Sequence, residues 1–171
     1  MKPSLWQRLD VLARQMTPVL VTLCLTIVNV LPMHLPEFSR MAPVLPLMAV
    51  YQWTVYAPGL MPAHMVFLSG LLFDVLSGAP LGINALTFLL VYGVILSQRR
   101  FLVGKSFFIV WLGFALVALG AAAVYWALTS AIHVTLVDGR AFAAQYGVMV
   151  GLFPVVGWVL LRLQNAFLSV D

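Results

Sequence analysis

Residues 106–137 read SFFIVWLGFALVALGAAAVYWALTSAIHVTLV, a run of 32 positions between Lys105 and Asp138 without a formal charge. A helix that crosses the hydrocarbon of a bilayer needs about 20 consecutive apolar residues. This run holds one such helix with residues to spare for its turns. It is not isolated. There are 22 uncharged residues between Arg14 and Glu37, 33 between Arg40 and Asp74, 24 between Asp74 and Arg99, and 21 between Arg140 and Arg162. Each gap is long enough for a crossing.

The composition agrees. The chain of 171 residues is 63% hydrophobic and 8% charged, with a mean hydropathy of +1.06. Soluble domains are roughly 45–50% apolar and about 25% charged. A soluble fold of this size could not hide so much apolar surface, which excludes a free-standing soluble enzyme. Disordered chains are polar and highly charged, so disorder is excluded too. The sequence describes an all-α, polytopic membrane protein forming a single integral membrane domain, 1–171. The net charge of +4 does not point to nucleic acid, because the basic residues are spread between the apolar runs.

Those basic residues set the topology, since Lys and Arg concentrate on the cytoplasmic side. Lys2, Arg8 and Arg14 precede an apolar stretch too long for a signal-peptide core and without an Ala-x-Ala cleavage pattern. It is expected to remain as the first span, with the N-terminus inside. Arg99, Arg100 and Lys105 form the densest basic cluster and belong inside as well, so an even number of spans must precede them. The 58 residues 41–98 must then hold three spans. Pro58-Gly59 with Pro62, and Ser77-Gly78-Ala79-Pro80-Leu81-Gly82, supply the two turns. The expected spans are 16–34, 43–57, 62–78, 82–98, 107–132 and 142–161, with both termini cytoplasmic. Seven cations then lie inside and two, Arg40 and Arg140, outside. Residues 1–15 read as a cytoplasmic amphipathic segment: Leu5, Leu9, Leu12 and Met16 recur at helical spacing. Tyr51, Trp53, Tyr56, Tyr92 and Trp158 read as aromatics of the inner interface, and Trp126 and Tyr146 as outer ones.

Little in the chain can carry chemistry. Asp74 alone among the five acidic residues falls within a span, in Phe67-Leu68-Ser69-Gly70-Leu71-Leu72-Phe73-Asp74-Val75-Leu76. An intramembrane carboxylate is costly unless it is paired, hydrogen-bonded or wet. A relay would want a second deep ionisable group, and the sequence offers none. The favoured reading is a carboxylate that bonds the Gly78–Asn84 turn or a neighbouring helix. Asn29 and Asn84 read as interhelical hydrogen-bonders, and Cys24 as a small hydrophobe. His34, His64 and His133 alternate sides, and no pair of ligands has a metal-motif spacing. No serine nucleophile elbow and no phosphate-cradling glycine loop is present, so no catalytic, cofactor-binding or metal residue is assigned. Gly147 and Gly151 form a small-xxx-small pair, suited to helix packing within the chain or to a partner's helix. Gly113, Gly120 and the Ala121–Ala123 run add small residues on the fifth span.

The segment Phe67–Leu86, FLSGLLFDVLSGAPLGINAL, resembles the rod shape-determining membrane protein family MreD. That family carries a similar glycine, a Leu-rich run, an aspartate and a Gly-x-x-x-Gly turn leading into the next span. Gly70, Asp74, Gly78, Gly82 and Asn84 match this motif, and Pro46, Tyr51, Trp53 and Pro58 resemble the segment that precedes it. The specific part of the resemblance covers about positions 46–90. It implies a non-catalytic subunit of the bacterial cell-elongation machinery in the inner membrane. The implied partners are MreC foremost, then MreB, RodA and a penicillin-binding transpeptidase, besides membrane lipid. The family's six-helix fold is similar to the substrate-binding subunits of energy-coupling-factor transporters. That similarity implies a rival function, capture of a vitamin for uptake. Such subunits carry an Ala-x-x-x-Ala face on the first helix, which the Val-, Thr- and Leu-rich run from Val19 to Val30 lacks.

Overall fold

The structure is a computed structural model and describes residues 5–31, 44–133 and 139–168. Those residues form six α-helices and one 3-10 turn, with no strand among them. In chain order the helices are α1 (Leu5–Val30), α2 (Leu45–Tyr56), α3 (Ala63–Ser77), α4 (Ile83–Leu102), α5 (Phe107–His133) and α6 (Gly139–Leu168). Lys2, His34, Glu37, Arg40 and Asp138 lie outside the described residues.

Three helices contain stretches long and apolar enough to cross a membrane: Ile83–Leu102, Phe107–Ile132 and Phe142–Ala166. The segments Met16–Val30 and Ala63–Ser77 are apolar but shorter. α1 is unbroken from Leu5, so the amphipathic segment and the first apolar stretch share one helix. α4 continues to Leu102 and α6 to Leu168, beyond the ends expected at 98 and 161.

α2 is the centre of the molecule. It has 12 residues, and Pro46 through Val55 are all buried. A helix buried all round has no polar stripe, and LPLMAVYQWTVY has none. At 1.5 Å per residue it is about 18 Å long, too short to span by itself. It needs no lipid contact, because α1, α4 and α6 enclose it. Tyr51 and Trp53, expected at the interface, are instead fully buried. The correction has a simple cause: aromatic residues on an enclosed helix fill the core, and an aromatic cluster in the sequence does not tell a core from a water–lipid boundary.

The rings of Tyr51, Phe114 and Phe153 knit α2, α5 and α6 together. Phe114 and Phe153 stack at 4.0 Å, and Tyr51 meets them edge-on at 5.2 and 5.6 Å. The Tyr51 hydroxyl donates to the Val110 carbonyl at 2.8 Å. Its oxygen also lies where a Cβ on Gly113 would come, 2.9 Å away, so the missing side chain is what admits the phenol. α5 and α6 run antiparallel. Trp111 Nε1 donates to the Val150 carbonyl at 2.9 Å, and the Tyr146 hydroxyl to the Ala115 carbonyl at 3.0 Å. Hydroxyls on the helices bond backward to their own carbonyls: Thr22 to Pro18, Thr26 to Thr22, Thr54 to Val50 and Thr87 to Ile83. Without water to satisfy it, a buried hydroxyl needs such a partner.

Arg99 ties the ends of two helices together. Its Nε donates to the Val55 carbonyl, at the C-terminal end of α2, at 2.9 Å. Cations are favoured where a helix exposes its last carbonyls. The C-termini of α2 and α4 therefore lie at the same end of the bundle, and α3 returns between them.

Candidate functional site

The hairpin of α3 and α4 is built by a few punctuating residues. Gly78 ends α3 in a left-handed conformation (φ 69°), and its amide bonds back to the Asp74 carbonyl. Glycine adopts this conformation without the Cβ clash that other residues suffer. Gly82 takes a second left-handed conformation (φ 99°) and opens α4. The first turn of α4 has no acidic residue, and no side chain of its own cap bonds it.

Asp74 supplies what α4 lacks. Its Oδ2 accepts from the amides of Gly82 at 2.9 Å and Ala85 at 3.3 Å. Its Oδ1 accepts from the Asn84 amide at 3.1 Å and from Asn84 Nδ2 at 2.9 Å. The carboxylate is fully buried. It lies against the positive end of α4, where a negative charge is stabilised by the helix dipole and by N–H groups that have no helical partner. A side chain on one helix thus caps the next, and four donors replace the water the carboxylate has lost. Gly70, one turn earlier on α3, is buried. A Cβ there would come within 2.6 Å of Ala85 Cα and 2.8 Å of its nitrogen. The two backbones touch, and this contact brings the carboxylate within reach of the α4 amides. Tyr125 of α5 lies close enough for its phenol to feel the charge of Asp74 and the Asn84 side chain.

The structure therefore assembles Gly70, Asp74, Gly78, Gly82 and Asn84 in one place. Gly147 and Gly151 do not belong to it. Both are exposed on α6, and a Cβ at either would meet no atom within 4 Å. No helix of the chain is pressed against that pair among the described residues. Gly113 is the small residue that packs closely within the chain, while Gly120 faces open space. His64 and Cys24 are exposed. Among the described residues no group of His, Cys, Asp or Glu could hold a metal ion.

Several features that organise the body carry no signal in the sequence. Tyr51 and Val110 are 59 positions apart, and Arg99 and Val55 are 44 apart. No local motif encodes either pair. Gln52 is another: it is buried in α2, and neither atom of its carboxamide has a hydrogen-bond partner among the described residues.

The described residues are helical, and three of the helices are long and apolar enough to cross a bilayer, which is the architecture of an α-helical membrane protein. The model of the rod shape-determining protein MreD family matches residues 11–164, and the chain belongs to that family. Neither the curated proteins nor the solved structures include a match. Family membership assigns the chain to rod shape determination at the membrane.

Proposed function

We propose that the chain is a non-catalytic scaffold subunit of the bacterial cell-elongation complex, crossing the inner membrane six times with both termini in the cytoplasm. In this reading it couples MreC and MreB to peptidoglycan synthesis by RodA and a penicillin-binding transpeptidase. The observation that carries the reading is the family match over residues 11–164. The arrangement of Asp74 supports a structural role. A carboxylate that accepts four N–H hydrogen bonds inside a helix hairpin has its acceptor capacity directed to backbone and carboxamide rather than to a substrate. The shared end of α2 and α4, fixed by Arg99 and Val55, supports the six-span path, because α3 runs back along the bundle between them.

Depletion tests the reading. Rod-shaped cells should become round as the protein is lost, and MreC should co-purify with it in detergent. Rods of normal width after depletion would overturn the proposal. Purification with a bound vitamin would replace it with the capture function of the transporter subunits.

A further inference from the structure

We propose that the α4–α5 turn is a binding site for the phosphate headgroup of an anionic membrane lipid. The turn is Arg99–Phe108, RRFLVGKSFF, with three cations and no acidic residue. The cations differ in employment. Arg99 is committed to the Val55 carbonyl. Arg100 and Lys105 are exposed, and the side chain of neither has a hydrogen bond or ion pair among the described residues. Gly104, left-handed at φ 78°, reverses the chain between them.

The same turn presents an apolar shelf. Phe101 is 71% exposed and Phe108 62%, with Val103 and Phe107 exposed beside them. Phe108 is held edge-on against Trp111 at 5.8 Å, and Trp111 is anchored to α6 through Val150. A soluble anion would have no use for exposed phenyl rings beside two free cations. A lipid uses both, setting acyl chains on Phe101 and Phe108 and phosphate oxygens between Arg100 and Lys105. Basic residues at the membrane surface attract anionic lipid in this way, and aromatic rings are favoured at headgroup level. The inference rests on the proposed topology, which sets this turn at the inner face.

The test uses the purified full-length chain and phosphatidylglycerol, with phosphatidylcholine as the zwitterionic comparator. Retained lipid is counted by native mass spectrometry. The wild type should retain phosphatidylglycerol preferentially, and removing the two charges together (Arg100→Gln with Lys105→Gln) should abolish the preference, at about fivefold for each cation removed. The charge-preserving pair (Arg100→Lys with Lys105→Arg) should keep it, which separates loss of charge from loss of fold. Equal retention by the wild type and the neutral pair would overturn the site. Displacement of the lipid by millimolar glycerol phosphate would also overturn it, assigning the cations to a soluble phosphate. The topology is tested separately by Lys105→Cys in a Cys24→Ser background, labelled with an impermeant thiol reagent. Labelling in inverted but not in right-side-out vesicles supports the inner-face placement. The opposite pattern overturns that placement, whatever the lipid count shows.

Discussion

The Gly82 amide donates to Asp74 Oδ2 across 2.9 Å, so the residue that opens α4 is held by a side chain from the helix before it. With the Asn84 and Ala85 amides bonded to the same carboxylate, the hairpin closes only if the group at position 74 accepts on both of its oxygens. Asp74→Asn keeps one acceptor and turns the other into a donor facing two N–H groups. We expect a loss of about 1–3 kcal/mol, the cost of leaving buried donors unsatisfied, and more for Asp74→Ala. The readout is the thermal midpoint in detergent and the amount of folded protein in the membrane. Full abundance and an unchanged midpoint together with round cells would give Asp74 a direct role instead.

Gly70 and Gly78 should fail for different reasons. Gly70→Ala puts a methyl group 2.6 Å from Ala85 Cα, against backbone that cannot rotate away. Overpacking of that kind costs about 1–3 kcal/mol. Gly78→Ala meets no atom but must hold φ near 69°, a left-handed penalty of roughly 1–2 kcal/mol. Replacing Gly78 with Asn, which tolerates that region, should recover part of the loss. Asn at position 70 should recover nothing. Melting curves of the four variants distinguish the two mechanisms.

Tyr51 and Gly113 should be energetically coupled. Tyr51→Phe removes the bond to Val110, a net loss of about 0.5–1.5 kcal/mol. Gly113→Ala forces a methyl group against the Tyr51 oxygen and the flexible end of Leu102. In the double variant the oxygen is gone, and the methyl group gains room. The double-mutant cycle should show a coupling of at least about 0.5 kcal/mol, with the pair costing less than the sum. Strict additivity would mean that the contact contributes nothing.

Gly147 and Gly151 should be silent for folding. Among the described residues no atom lies within 4 Å of either Cβ position. Changing either to Ala should move the midpoint by no more than about 1 kcal/mol, in the stabilising direction if at all, because Ala favours helix over Gly. Changing both to Leu tests for a partner helix: co-purification of MreC should fall while the midpoint holds. A lowered midpoint would return the pair to a role inside the fold.

The parts of this architecture that the sequence disclosed are those written locally. Asp74, Gly78, Gly82 and Asn84 fall within 11 consecutive positions, so the glycines marked the turn and the carboxylate had its partners close by. The turns at Pro58-Gly59 and Ser77–Gly82 were legible for the same reason. What was not legible is enclosure. In a chain this apolar the contrast between a buried and a lipid-facing side chain disappears, so hydropathy could not show that α2 is surrounded by protein. The aromatic cue failed there as well, since Tyr51 and Trp53 belong to the core. In the sequence Arg99 signals topology alone; that its guanidinium also closes the end of α2 is hidden, because its partner Val55 lies 44 positions away.

The enclosure of α2 has a consequence for biogenesis. One of the helices around it is α6, which leaves the ribosome after the other five. Until α6 arrives, Gln52 and the 12-residue helix that carries it have one wall missing. The core therefore closes only after α6 is made, and a nascent chain stalled before Gly139 would expose the helix that the folded body hides.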